Sequence, residues 1–163
     1  MPIELFSRLT RRIRFHLGSY LAFMKSLFAS LSFLAVLVLC GCATMDSSQA
    51  PGADLTKLHT FYVAKLPADG RGIERLIADR LDLMGFKATS GSAEAPGSPV
   101  DAVVTYQDRW MWDITMYMIQ LDIQIRDGKT NFVLASGHVM RPSLQRKSPS
   151  GMVEEALTGI FKK

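Results

Sequence analysis

Ile114-Thr115-Met116-Tyr117-Met118-Ile119-Gln120-Leu121-Asp122-Ile123-Gln124-Ile125-Arg126 is the stretch that decides the fold. Side chains alternate across an extended chain. Tyr117, Ile119, Leu121, Ile123 and Ile125 therefore fall on one face, and Gln120, Asp122, Gln124 and Arg126 on the other. That pattern predicts an antiparallel sheet with one face on a core and one in water. Just upstream, Val100, Ala102, Val104 and Tyr106 alternate with Asp101, Thr105 and Gln107, which predicts a preceding strand running to Trp112. Just downstream, Asp127-Gly128 carries hairpin turn chemistry. Asn131 to Met140 reads as the returning partner, with Phe132 and Leu134 at its start.

Further upstream, Leu58-His59-Thr60-Phe61-Tyr62-Val63 is enriched in aromatic and β-branched residues and reads as a strand, closed by the turn Pro67-Ala68-Asp69-Gly70. Ile73, Leu76, Ile77, Leu81 and Met84 recur at helical spacing, with Glu74 in the first turn and Gly85 as a C-terminal cap. Phe86-Lys87-Ala88-Thr89 reads as a short strand and 90–99 as a loop. Ser148-Pro149 opens a last helix, whose stripe is Met152, Val153, Ala156, Leu157, Ile160 and Phe161. The expectation is an α+β domain over residues 55–163. Its antiparallel sheet of four or five strands packs with two amphipathic helices in the order β-α-β-β-β-β-α.

The N-terminal part has a different character. Leu27 to Leu39 is a predominantly apolar run preceded by Lys25, the layout of a signal peptide. At thirteen residues it is short for a membrane span, which needs about 20. Its end, Leu39-Cys40-Gly41-Cys42, resembles the lipobox of bacterial lipoproteins. That resemblance implies a signal peptide over residues 1–41, cleavage between Gly41 and Cys42, and acyl chains on Cys42. The rival readings of the run are an uncleaved membrane anchor and a buried helix. Met24-Lys25 offers a natural start, so translation from Met24 would still supply the whole signal. Thr10-Arg11-Arg12-Ile13-Arg14-Phe15 departs from a twin-arginine signal at Arg14, where that motif wants an apolar residue. By family analogy Ala43, rather than an Asp, after the Cys implies an outer-membrane address facing the periplasm, in a cell that has an outer membrane. Residues 42–54 are small and polar and read as the lipidated Cys and a flexible tether.

The net charge of +4 belongs to this leader. Five of the nineteen basic residues and one of the fifteen acidic ones precede residue 43, which leaves fourteen of each in the remainder. A neutral domain has no electrostatic footprint for nucleic acid. With Cys40 lost in the leader and Cys42 acylated, no thiol would remain for a disulfide or a metal. His59 and His138 lie far apart without ligand spacing, so no metal or other cofactor is expected. No nucleophile elbow, phosphate loop or dinucleotide fingerprint occurs. Asp108 and Asp113 form a carboxylate pair of the kind any domain has, and read as solvated turn residues.

One stretch stands out. From Trp110 to Met118 both strand faces are apolar, and both tryptophans of the chain lie here. Trp110, Trp112, Met116 and Met118, with Arg109 and Asp113 as a polar rim, form a candidate partner surface, since aromatic and Met side chains are favoured at adaptable interfaces. The alternative is that a helix, loop or bulge covers the second face. The element order, with its opening aromatic strand, helix ending in Gly85-Phe86 and Asp101-led strand ending in Tyr106, resembles a family of small bacterial lipoproteins of outer-membrane type. That resemblance implies an envelope domain without established catalysis. The expected function is a non-enzymatic, membrane-anchored binding or assembly accessory with an envelope protein as partner. The rivals are an envelope hydrolase with an unrecognised site and a binder of a small hydrophobic ligand.

Overall fold

The computed structural model describes residues 43–92 and 96–162. Gly41, Cys42 and the expected signal peptide lie outside the described residues. A six-stranded sheet carries two helices: β1 (Thr44–Gln49), β2 (Thr60–Ala64), α1 (Ile73–Leu83), β3 (Lys87–Gly91), β4 (Ala102–Asp113), β5 (Thr115–Asp127), β6 (Val133–Met140) and α2 (Pro149–Phe161). Short 3-10 turns at Leu55–Lys57 and Ser143–Gln145 precede β2 and α2. The strand order is β1-β6-β5-β4-β2-β3. The mixed α+β class with two helices is as expected; the strand number and the all-antiparallel sheet are not.

Two differences account for this. First, β2 runs parallel to both β3 and β4. Helix α1 returns the chain to the end from which β2 started, so the next strand must enter in the same direction. Asp101 sets the second parallel register. Its carboxylate accepts the N–H groups of His59 and Thr60, both at 2.9 Å, and its own N–H donates to Thr60 Oγ1 at 2.9 Å. Second, residues 44–49 are not part of a tether. They pair antiparallel with β6 as an edge strand, from Thr44 opposite Met140 to Gln49 opposite Ala135. All six residues of β1 are exposed, so backbone pairing rather than an apolar stripe holds it. Ser47 Oγ donates to the Gly159 carbonyl at 3.0 Å and Gln49 Nε2 to the Ile160 carbonyl at 2.8 Å, which fastens the strand to α2 as well.

Both helices cover one face of the sheet. α1 lies on β2 and β3, α2 on β1, β5 and β6, and the helices touch each other. Between them, Phe61, Val63, Ile73, Ile77, Leu81, Leu121, Ile123, Ile125, Leu157 and Ile160 are almost wholly buried. Each such side chain contributes about 1.5–3 kcal/mol on burial. The helix ends follow the sequence: Ser148 Oγ accepts the Gly151 N–H at 3.1 Å behind Pro149, and Gly85 takes φ +94° after α1. The uncovered face carries polar rows, such as His138 Nδ1 at 2.5 Å from Asp122 Oδ1, and Gln120 Nε2 donating to Asp122 Oδ2 at 2.6 Å.

Candidate functional site

The singled-out stretch is a hairpin that outruns the sheet. Arg109 pairs with Gln120, but the next pair is Trp110 with Met118, followed by Met111 with Tyr117 and Trp112 with Met116. Ile119 has no partner on β4, so it is the extra residue of a β-bulge. Its carbonyl accepts the Arg141 N–H at 2.8 Å, which satisfies the group the ladder leaves over.

The bulge explains why both faces read as apolar. Below it, Leu121, Ile123 and Ile125 face the helices. Above it the parity is inverted, so Met118, 1% exposed, continues the core face while Tyr117 turns to the other side. The expected clean face running from Tyr117 through Ile119 to Ile125 is therefore broken at Ile119. What looked like two apolar faces is one core face that changes parity, plus an aromatic ring beyond it.

The candidate surface residues consequently separate. Met118 is core and does not belong to a surface. Trp110 is half-buried against the core, with the Arg71 guanidinium 4.1 Å above its ring and its Nε1 donating to Asp108 Oδ2 at 2.5 Å. Trp112 and Met116 remain exposed at 71% and 52%. Met111 on the opposite face and Ile114 at the tip, which the sequence reading left out, are 47% and 84% exposed. Leu144, in the turn beside the tip, is 76% exposed. The sequence places Ile114 at the start of the next strand, inside the same apolar stretch, and nothing local shows that it tops a hairpin. Ile114 takes φ +61°, an unfavourable conformation for a β-branched residue.

The tip is braced rather than loose. Arg146 donates to the Asp113 carbonyl at 3.2 Å and carboxylate at 3.1 Å, and to Thr115 Oγ1 at 2.8 Å, while its guanidinium lies 4.4 Å over the Tyr117 ring. Ser143 Oγ also donates to the Asp113 carboxylate. Arg109, of the expected polar rim, is exposed.

A second polar cluster lies inside the domain. Asp69, buried at the start of α1, accepts the N–H groups of Arg71, Gly72 and Ile73 at 2.6, 3.1 and 2.8 Å, and the Tyr106 hydroxyl at 2.7 Å. Burial pushes its carboxyl up, but the Tyr106 hydrogen bond and the backbone donors outweigh this and hold it down at about 2. Burial, and then the bond to Asp69, push the Tyr106 phenol well above its ordinary value. An ionised acceptor and a neutral donor tied to each other, with Leu66 N–H also donating to the hydroxyl at 3.1 Å, cap the helix and close the turn. The pair is a structural joint, and the sequence reading saw only its turn. His59 is exposed ahead of β2, and among the described residues no group of three His, Cys, Asp or Glu side chains could hold a metal. Among the described residues no helix is long and apolar enough to cross a membrane.

Solved structures share this fold. The domain is similar to PelC from Paraburkholderia phytofirmans, solved as a dodecamer, at 15% identity over 72% of this chain and 96% of that one, with a TM-score of 0.55. A point variant of that protein, also a dodecamer, gives 14% identity over 75% and 100% of the two chains and a TM-score of 0.57. A PDZ domain protein from Parabacteroides distasonis gives 11% identity over 74% of this chain and 36% of that one, with a TM-score of 0.50. At these identities the likeness concerns the fold alone. No family model and no curated protein matches the sequence.

Proposed function

We propose that the chain is a lipid-anchored bacterial envelope protein that binds or assembles with other envelope components and does not catalyse a reaction. The observation that carries this is the Leu39-Cys40-Gly41-Cys42 stretch closing an apolar run, one residue ahead of a folded domain. Two or more acyl chains on Cys42 hold a protein stably at a membrane, at about 0.8 kcal/mol per buried methylene. The outer membrane, periplasmic side, is the address that Ala43 favours.

Two features support a binding or assembly role. The hairpin presents Trp112, Ile114 and Met116 to the outside on a braced backbone, although none of the three is needed to fill the core. PelC, which has this fold, is solved as a dodecamer, so a domain of this shape serves as a building block in at least one protein. Of the buried polar side chains, Asp69 and Tyr106 are committed to each other, and Glu74 lies 3.9 Å from Lys65 and 3.6 Å from Arg75 through Oε1, with its Oε2 buried and without a hydrogen-bond partner.

Metabolic labelling with a palmitate analogue tests the anchor. The wild-type chain should take the label and sediment with membranes, and Cys42→Ser should lose the label and remain unprocessed. Equal labelling and equal trimming of the variant would overturn the reading. Crosslinking in intact cells, followed by mass spectrometry, tests for the envelope partner.

A further inference from the structure

We infer that the β4–β5 hairpin enters the headgroup and upper acyl region of a phospholipid bilayer, with Trp112, Ile114 and Met116 as its lipid-contacting side chains. The inference rests on the anchor at Cys42 proposed above and adds a second, protein-built contact with the same membrane.

The strand register supplies the geometry. Thr44 pairs with Met140, Met140 with Gln120, and Gln120 with Arg109. The first residue of the domain is therefore level with the bulge. Beyond that level β4 and β5 run on without a further strand beside them, from Arg109 to the tip at Asp113, with residues 143–146 braced along the tip. At about 3.3 Å per residue this is a projection of about 13 Å. Cys42 is two residues before Thr44 and stays within about 7 Å of it, since a chain spans at most about 3.3–3.6 Å per residue. A lipid on Cys42 therefore draws this end of the sheet to the bilayer and not the end at Asp127. Each headgroup layer is only about 5–8 Å thick, so the projecting hairpin is long enough to cross it.

The chemistry of the tip fits that depth. Of the eight large apolar side chains exposed among the described residues, Met111, Trp112, Ile114, Met116 and Leu144 gather at this end. Trp is favoured at membrane–water boundaries because its ring is apolar and its N–H polar. Asp113, the carboxylate at the tip, is already tied by Arg146 and Ser143. Arg109, exposed at the root of the projection, stands where anionic headgroups would lie.

The test uses the full-length acylated protein in vesicles of phosphatidylethanolamine and phosphatidylglycerol containing phosphatidylcholine brominated on its acyl chains. Comparing the wild-type chain with Trp112→Phe isolates the emission of Trp112 from that of Trp110. The expected result is that the Trp112 component is lost to the brominated lipid and shielded from aqueous iodide. A Trp112 component open to iodide and indifferent to bromine overturns the inference. So does one shielded from both, which would place a protein surface on the hairpin. Vesicle flotation and the mass of the Cys42 peptide are measured on the same samples. A protein that lacks the lipid overturns the anchor and the inference together. A lipidated, floating protein with unquenched Trp112 overturns the inference alone.

Discussion

Trp110 stands opposite Met118, although Arg109 beside it stands opposite Gln120. The single unpaired residue between them, Ile119, decides which face every hairpin side chain takes. A one-residue slip moves a whole set of side chains across a sheet. Ile119 absorbs such a slip, so deleting it should leave Leu121, Gln120, Met118 and Tyr117 in regular alternation, with Met118 still on the core side. The expected cost is about 1–3 kcal/mol, that of leaving the Arg141 N–H without its acceptor. Urea unfolding of the deletion with and without Met118→Ala checks this: a further loss of about 2–5 kcal/mol keeps Met118 in the core, and no further loss would mean that the bulge does not set the register.

The same parity separates two residues that look alike in sequence. Met118→Ala should destabilise by about 2–5 kcal/mol, because a side chain 1% exposed leaves a cavity. Trp112→Ala should change stability by no more than about 0.5 kcal/mol, because the ring is 71% exposed. Thermal or urea unfolding of the two variants side by side distinguishes core from surface. Comparable losses would contradict the parity inversion.

Acid should attack the Asp69 joint. Its carboxyl is held at about 2, below the ordinary 3.8. A depressed carboxylate contributes stability that is fully present above the ordinary value and is lost as pH falls through the lowered one. The contribution is about 2 kcal/mol and disappears between roughly pH 4 and pH 2. Tyr106→Phe removes a donor to the buried carboxylate and the acceptor of the Leu66 N–H. It should cost about 1–3 kcal/mol at neutral pH and move the acid-unfolding midpoint upward. Circular dichroism against pH reads both effects.

Two glycines on the α2 side should respond in opposite ways. A Cβ at Gly137 of β6 would lie 2.9 Å from Ile160 Cδ1 and 3.1 Å from the Ala156 carbonyl, so Gly137→Ala should push α2 off the sheet at about 1–3 kcal/mol. A Cβ at Gly159 meets chiefly the end of the Met45 side chain, which can swing aside. Gly159→Ala also gains up to about 1 kcal/mol of helix propensity, and should be neutral or stabilising. Melting temperatures of the pair decide it.

Arg146→Ala should loosen the hairpin tip without unfolding the domain. It removes the bonds to Asp113 and Thr115 and the stacking on Tyr117, at about 1 kcal/mol. Amide hydrogens of residues 113–117 should exchange faster, and those of Leu121 to Ile125 should not. Arg146→Lys should rescue little, since a lysine lacks the planar fork that serves three acceptors at once.

Where side-chain periodicity carried the structure, reading it was sufficient. β4, β5, both helices and the caps at Ser148 and Gly85 lie within a few residues of expectation. Three features escaped, each for a physical reason. β1 is built from Thr44, Met45, Asp46, Ser47, Ser48 and Gln49, and its pairing uses backbone groups that every sequence possesses. The parallel pairing of β2 depends on where α1 delivers the chain, which no local pattern records; the burial of Phe61, Tyr62 and Val63 in succession is its one trace. The bulge at Ile119 left a mark that was visible, apolar residues of both parities, but a parity switch and a two-sided patch produce the same string. At the candidate site the sequence supplied Trp112 and Met116, with Ile114 in the same apolar stretch, while the place of Ile114 at the tip and of Leu144 beside it became visible only once the register was known.

Pairing β1 with β6 joins residues far apart along the chain, such as Ser48 and Ser136, which are 88 positions apart. Contacts of such long range form late, because a large loop must close before they exist. The leading segment of the domain must therefore wait, unpaired, until almost the whole remaining chain has emerged. Its lack of apolar side chains, apart from Met45, keeps that waiting segment from sticking to other chains in the meantime.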